Sequence, residues 1–161
     1  MKVDDPFFVD YSAKLGVDPL WLWNLIQFES KWNPKAYNKL SSAKGLIQFT
    51  DETARKLGYT SSQDLIDKNP DEKSQLLFPV KKYLSQYSYS TKQSLYMAVF
   101  YPAARFWAEN REFPDTVKKV NPGIVYVSDY IRKVDKNKIS GVATIIVTSL
   151  VILLLSKVVR L

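Results

Sequence analysis

The stretch that decides the reading is Val17–Ala36, VDPLWLWNLIQFESKWNPKA. Asp18-Pro19 opens a helix, with Asp as the N-cap and Pro in the first turn, where its missing N–H costs nothing. From Leu20 to Phe28 the residues Leu22, Ile26 and Glu29 fall on one stripe, with Trp23 and Leu25 beside it. Trp32-Asn33-Pro34 then disfavours helix, so the end is expected near Ser30. Glu29 therefore stands at the C-terminal end of an unusually apolar helix, beside Phe28 and near Trp23 and Trp32. Burial raises a carboxyl pKa because the charged form loses hydration, and a helix C-terminus disfavours negative charge. Both effects favour a protonated glutamic acid near neutral pH, which is what a general acid has to be. The residues alone also fit a solvated Glu at a frayed helix end.

The tetrapeptide Leu-Ile-Gln-Phe occurs at 25–28 and again at 46–49. The flanks differ and the offset recurs nowhere else, so this is no repeat architecture. The first copy lies deep in a helix. The second lies between the turn at Gly45 and a helix start at Thr50, whose first turn carries Asp51 and Glu52 and which Gly58 closes. Other helices are expected at Pro6–Leu15, after Asn69-Pro70-Asp71-Glu72 with a kink at Pro79, from the Ser90-Thr91 cap to the AVFYP segment, and after Asn121-Pro122-Gly123. No alternating pattern of strand length occurs. Residues 1–136 thus read as one all-α domain.

The 161 residues suffice for one domain with a real core, and 46% hydrophobic with 14% aromatic content is not a disordered composition. There is neither cysteine nor histidine, which excludes disulfides, Ser-His-Asp and Cys-His catalysis and His-ligated zinc. Acid–base chemistry must fall to Asp, Glu, Lys or Tyr, and no metal or cofactor is called for. The net charge of +7 favours an anionic partner. No nucleic-acid motif accompanies it, so wall polymers or lipid headgroups suit it better than nucleic acid. Met1-Lys2-Val3-Asp4-Asp5 does not read as a secretory signal. From Ile139 to Ser156 the chain has 18 residues without a charge, long enough to cross a bilayer core. Arg132, Lys133, Lys136 and Lys138 precede this segment, and Lys157 and Arg160 follow it. We therefore expect a C-terminal transmembrane helix over 139–157, a tail anchor with the domain on the cytoplasmic side by the positive-inside tendency.

Four motifs in order resemble the soluble lytic transglycosylase family, whose members share the goose-type lysozyme fold. They are Glu29-Ser30 with Trp32 and Asn33-Pro34; Gly45-Leu46-Ile47-Gln48-Phe49-Thr50; Tyr101 at the end of MAVFY; and Tyr130-Ile131-Arg132-Lys133-Val134. The third departs from the commoner Ala-Tyr-Asn, because Pro102 follows Tyr101. That puts in doubt any contact the Asn would make, though not the acid. The resemblance implies an all-α, lysozyme-like domain that acts on peptidoglycan glycan strands. It implies cleavage of the β-1,4 bond between N-acetylmuramic acid and N-acetylglucosamine, with Glu29 first as acid and then as base toward the muramoyl C6 hydroxyl. The product would be a 1,6-anhydro sugar.

The resemblance also implies substrate-binding roles. Ser30 would orient Glu29 or contact the sugar, and Gly45 with Leu46 would let the backbone approach the glycan. Gln48 would bind an acetamido group or line the cleft. Phe49 and Trp32 would stack on sugars or pack in the core, and Tyr101 and Tyr130 would reach Glu29 or substrate. Two other readings stay open. One is a goose-type lysozyme, which needs a second acid from Asp51, Glu52 or Asp64 to activate water. The other is a membrane-anchored wall-binding module without turnover. A catalytic domain without a leader and with a tail anchor suggests a phage-borne protein, carried in the internal membrane of a virion and meeting the wall during penetration or release.

Overall fold

The computed structural model of the protein describes residues 1–136. The expected span over 139–157 lies outside the described residues. Among the described residues, no helix is long and apolar enough to cross a membrane.

The architecture is helical: α1 Pro6–Lys14, α2 Pro19–Ser30, α3 Asp51–Lys56, α4 Ser62–Lys68, α5 Glu72–Gln75, α6 Lys81–Leu84, α7 Lys92–Phe100, α8 Asp115–Val120 and α9 Val127–Lys136. Described residues form no strand, only isolated antiparallel bridges at Tyr37–Lys44, Lys44–Phe49 and Glu112–Tyr126. The helix starts follow local side-chain chemistry. Asp18 accepts hydrogen bonds from the N–H groups of Leu20 (2.7 Å) and Trp21 (3.3 Å), and Thr50 accepts from the N–H of Thr53 (3.2 Å). At both Asp71 and Thr91 the cap and the third helical residue bond each other reciprocally, a capping box. The expected kink at Pro79 takes a definite form: Leu76–Val80 is a π turn joining α5 to α6. A wider turn accommodates the ring and the missing N–H, which an α-helical ladder cannot. Helices α4 and α8 were not anticipated. Both are short and carry little apolar periodicity, and their starts rest on Ser61 and Pro114.

The core forms around α2, which packs against α1, α7 and α9. Leu22, Leu25 and Ile26 are fully buried, as are Leu95, Tyr96 and Met97 of α7 and Val127 and Val134 of α9. Helix α2 is apolar nearly all round because it is enclosed nearly all round.

One buried polar side chain ties the loops to this core. Gln75 is wholly buried. Its Oε1 accepts from the N–H of Leu46 (2.9 Å), and its Nε2 donates to the carbonyls of Pro34 (2.7 Å) and Asn69 (3.0 Å). Three loops distant in sequence thus share one amide. Gly45 makes room for it: its φ is +80°, and a Cβ there would stand 2.7 Å from Gln75 Oε1. Buried polar groups that lose a partner cost about 1–3 kcal/mol each. Gln75→Leu strands one N–H and two carbonyls, so chemical denaturation should show a loss of roughly 3 kcal/mol or more. A loss below about 1 kcal/mol would mean that water reaches these groups.

Candidate active site

Glu29 occupies the penultimate position of α2, and the chain turns abruptly behind it. Lys31 and Trp32 adopt left-handed backbone angles, with φ of 54° and 61°. Two consecutive non-glycine residues in this region cost on the order of 1–2 kcal/mol each. The turn persists because Trp32 is locked in the core, edge-on to Phe8 at 5.2 Å and 6.0 Å from Trp23 between ring centroids. The third described non-glycine residue with positive φ is Gln48, at 55°. All three such residues therefore lie in the two motifs that carry the candidate site.

Glu29 is half-buried. Loss of hydration drives its carboxyl up to a pKa of about 7. A hydrogen bond from the Tyr130 hydroxyl to Glu29 Oε1 opposes this rise without cancelling it. Burial comes first, and the nearby Glu29 charge adds to it, in holding the Tyr130 phenol well above its ordinary value. Tyr130 is therefore a permanent donor at any working pH. Its ring is set from both sides, stacked on Phe100 at 4.2 Å and edge-on to Phe28 at 5.5 Å. Helix α9 is tied down as well. Asp135 pairs with Lys92 at the start of α7 and accepts from the Tyr96 hydroxyl at 3.3 Å. Phe100, Tyr96, Lys92 and Asp135 went unnoticed in the sequence because their role depends on two helices meeting.

The other candidates are placed as follows. The Ser30 hydroxyl donates to the Ile26 carbonyl (3.1 Å), one turn back in its own helix, and not to Glu29. Gly45 and Leu46 form the turn held by Gln75. Gln48 Nε2 donates to the Gly45 carbonyl (2.9 Å), so its side chain braces the turn. Lys44 and Phe49 exchange backbone hydrogen bonds of 3.0 and 2.8 Å across the same turn. Phe49 is buried, with its ring edge-on to Tyr83 at 6.0 Å. Both Trp32 and Phe49 thus pack in the core. Tyr101 is half-buried in an aromatic group with Trp107 and Phe113, at 5.7 and 5.8 Å. It is the residue before Pro102, where α7 gives way to a 3₁₀ turn over Pro102–Ala104. Of the expected site residues, only Tyr130 shares a hydrogen bond with Glu29 among the described residues.

The second carboxylates are committed elsewhere. Asp51 accepts from the Ser62 N–H and hydroxyl, both at 2.8 Å, and these bonds hold its pKa below the ordinary value. Glu52 pairs with Lys56 at 2.6 Å and Asp64 with Lys68 at 3.0 Å, both lying one helical turn apart. Asp64 also accepts from the Thr60 N–H at 2.9 Å.

The raised pKa of Glu29 is also a statement about stability. The folded state holds a proton that the unfolded chain releases near 4.5, so stability falls as pH rises from about 4.5 to about 7. Above that range the whole penalty is present. Glu29→Gln removes it and should stabilise the protein at pH 8 by on the order of 3 kcal/mol, with little change at pH 4. Denaturation at the two pH values checks this, and equal effects at both would show that Glu29 is not dehydrated.

Comparison with known proteins yields one match. The family model described as the transglycosylase SLT domain matches residues 7–101, more than half of the chain. No curated protein and no solved structure matches. The matched segment contains Glu29, the Gly45–Thr50 turn and Tyr101 and ends before α9. With the acid on α2, the braced turn beyond it and a helical fold around both, the chain belongs to the transglycosylase SLT domain family.

Proposed function

We propose that the protein is a peptidoglycan lytic transglycosylase that cleaves the N-acetylmuramoyl-β-1,4-N-acetylglucosamine bond and leaves a 1,6-anhydromuramoyl end. The observation that carries this is a single dehydrated carboxyl, Glu29, raised to about 7 and held by one phenol. Near neutral pH such a group is poised to give up a proton and to take one back. Protonated Glu29 delivers its proton to the glycosidic oxygen as the C1–O bond breaks. The leaving sugar departs with a free 4-hydroxyl. The muramoyl C6 hydroxyl then bonds to C1, and its proton returns to Glu29. No water is consumed, and the acid is regenerated within the cycle.

Tyr130 has two duties in this scheme. It fixes which Glu29 oxygen faces the reaction, since Oε1 is engaged, and it stabilises the carboxylate between the two proton transfers. The alternative is hydrolysis by a lysozyme-type route, which needs a second carboxylate to activate water. The commitments of Asp51, Glu52 and Asp64 to Ser62, Lys56 and Lys68 argue against it. A wall-binding module without turnover has no use for a dehydrated acid, which costs stability.

The proposal extends to location. The charge-free Ile139–Ser156 segment, flanked by basic residues, anchors the domain to a bilayer, either of a cell or inside a phage virion. In the virion case the enzyme acts on the wall during penetration or release. Full-length chain should float with liposomes after an alkaline wash. Ile146→Arg/Leu150→Arg, costing roughly 3 kcal/mol per residue at the bilayer centre, should remain in the wash. Equal flotation of both would remove the anchor.

Mass spectrometry of the products released from purified peptidoglycan by full-length protein in detergent tests the reaction. Anhydromuramoyl ends are expected, with turnover lowered about a thousandfold or more in Glu29→Gln. Hydrated reducing ends would establish the hydrolase instead. The kcat/KM should fall as pH rises through about 7, where Glu29 loses its proton. Tyr130→Phe removes the bond that favours the ionised form, so its alkaline limb should move upward, by up to about one pH unit. A limb that does not move would detach Tyr130 from the acid.

A further inference from the structure

The packing of three helices gives the domain two distinct ends. At one end the last residues of α2 and α7 meet the first half of α9: Phe28 lies edge-on to Tyr130, and Phe100 stacks on it. At the other end Trp21, in the first turn of α2, lines a recess of about 360 Å³ with Ser90, Thr91, Lys92 and Gln93 at the start of α7. The last turn of α9 closes this end, where Asp135 pairs with Lys92 and accepts from the Tyr96 hydroxyl. Helices α2 and α7 therefore run side by side, and α9 runs against them. The turn over 15–18 belongs to this end too, since it leads directly into α2. Glu29 stands at the opposite end, about 16 Å along α2 from Asp18.

The end away from Glu29 has the chemistry of a lipid-facing surface. Leu15, Pro19, Leu20 and Trp21 each keep part of their surface in water. An indole among aliphatic side chains is the combination that settles at the headgroup level of a bilayer. The acids nearby are engaged: Asp18 caps α2, Asp10 pairs with Lys14 at 2.7 Å and Asp135 pairs with Lys92. Glu109 at the recess suits the amine of a zwitterionic headgroup. Lys136 is exposed at the end of α9 and Lys138 follows in the sequence, a placement that lipid phosphates favour. From Lys136 the chain reaches the charge-free Ile139–Ser156 segment in three residues, a span of at most about 11 Å. A bilayer that holds this segment therefore lies within that distance of the same end of the domain.

We propose that this end rests on the bilayer surface, with Leu20 and Trp21 among the lipid headgroups, so that the Glu29 end is directed away from the membrane. This rests on residues 139–156 being the anchor proposed above and is independent of the reaction. A tether alone leaves the domain free to turn about a short connection and to bring either end to the lipid. A docked base removes that freedom. It holds the acid above the headgroups by about the length of α2, toward polymer that lies off the membrane.

The chain has no cysteine, so single introduced thiols report orientation. Ser90→Cys marks the proposed base, and Ala103→Cys, in the turn that follows α7, marks the Glu29 end; both positions are exposed. Full-length protein is reconstituted into vesicles of phosphatidylethanolamine and phosphatidylglycerol that contain headgroup-nitroxide lipid. A membrane-impermeant fluorophore then labels only outward-facing domains. The Ser90 label should be quenched and the Ala103 label spared. Leu20→Ser/Trp21→Ser should lower the ratio of docked to free domain, read at Ser90, roughly tenfold, the effect of two half-exposed apolar side chains at an interface. Flotation and helical circular dichroism should not change in that variant.

Equal quenching at the two positions, stronger quenching at Ala103, or quenching at neither in a chain that floats would overturn the proposal and leave the anchor standing. Quenching at Ser90 that survives Leu20→Ser/Trp21→Ser would also overturn it, because the short connection alone would then hold the label near the lipid. If that variant does not fold, the comparison of the two labels decides by itself. A chain that does not float would remove the anchor and the proposal with it.

Discussion

The dehydration of one carboxyl governs this molecule. Glu29 can act near neutral pH only if it loses most of its water, and an acid so treated pulls against folding above its ordinary pKa. The surroundings therefore divide into those that enforce the loss and those that limit it. The apolar body of α2, the Phe28 ring and the packed Phe100–Tyr130 pair enforce it. The Tyr130 hydroxyl limits it, because a donor aimed at the carboxylate favours the charged form. The balance leaves Glu29 near 7 rather than permanently neutral, which is the balance that the proposed acid–base cycle needs.

The backbone carries a second cost for the same purpose. Lys31, Trp32 and Gln48 hold left-handed angles that non-glycine residues avoid, and they lie in the two motifs of the candidate site. Such angles persist only where the surroundings determine them. Trp32 is determined by Phe8 and Trp23, and Gln48 by its own side chain, which donates to the Gly45 carbonyl. Behind both stands Gln75, which joins the Pro34, Leu46 and Asn69 loops through one amide. The strained turns are thus clamped from the core side.

Much of this was legible in the chain and some was not, for physical reasons. Local chemistry read well: the Asp18 and Thr50 caps, the end of α2 at Ser30 and the disruption at Pro79 each depend on residues within one turn of each other. The position of Glu29 on an apolar helix near aromatic residues followed from the same local pattern. What depends on tertiary meetings did not read. Nothing in the SQLLFPV segment marks Gln75 as the tie between three loops, although a lone amide beside a buried apolar run is a usable signal. Tyr130 was readable only as part of a motif. That its hydroxyl reaches Glu29, and that Ser30 turns back to its own helix, required the packing of α9 on α2. Phe49 and Trp32 were open between sugar and core, and a sequence cannot decide which face of an aromatic ring water reaches.

The Tyr130 contact has a consequence for how the chain is organised. The family match ends at residue 101, yet the group that tempers the acid comes from α9, which runs from Val127 to Lys136. A chain cut at the end of the matched segment would keep Glu29 and lose its donor. It would also lose the side of Tyr130 that covers Phe28 and Phe100, admitting water to the carboxyl. The two losses act in opposite directions on the Glu29 pKa, but both remove the control that α9 exerts. That control is braced by the Lys92–Asp135 pair, which joins the start of α7 to the last turn of α9. Three residues beyond Lys136 the charge-free segment begins.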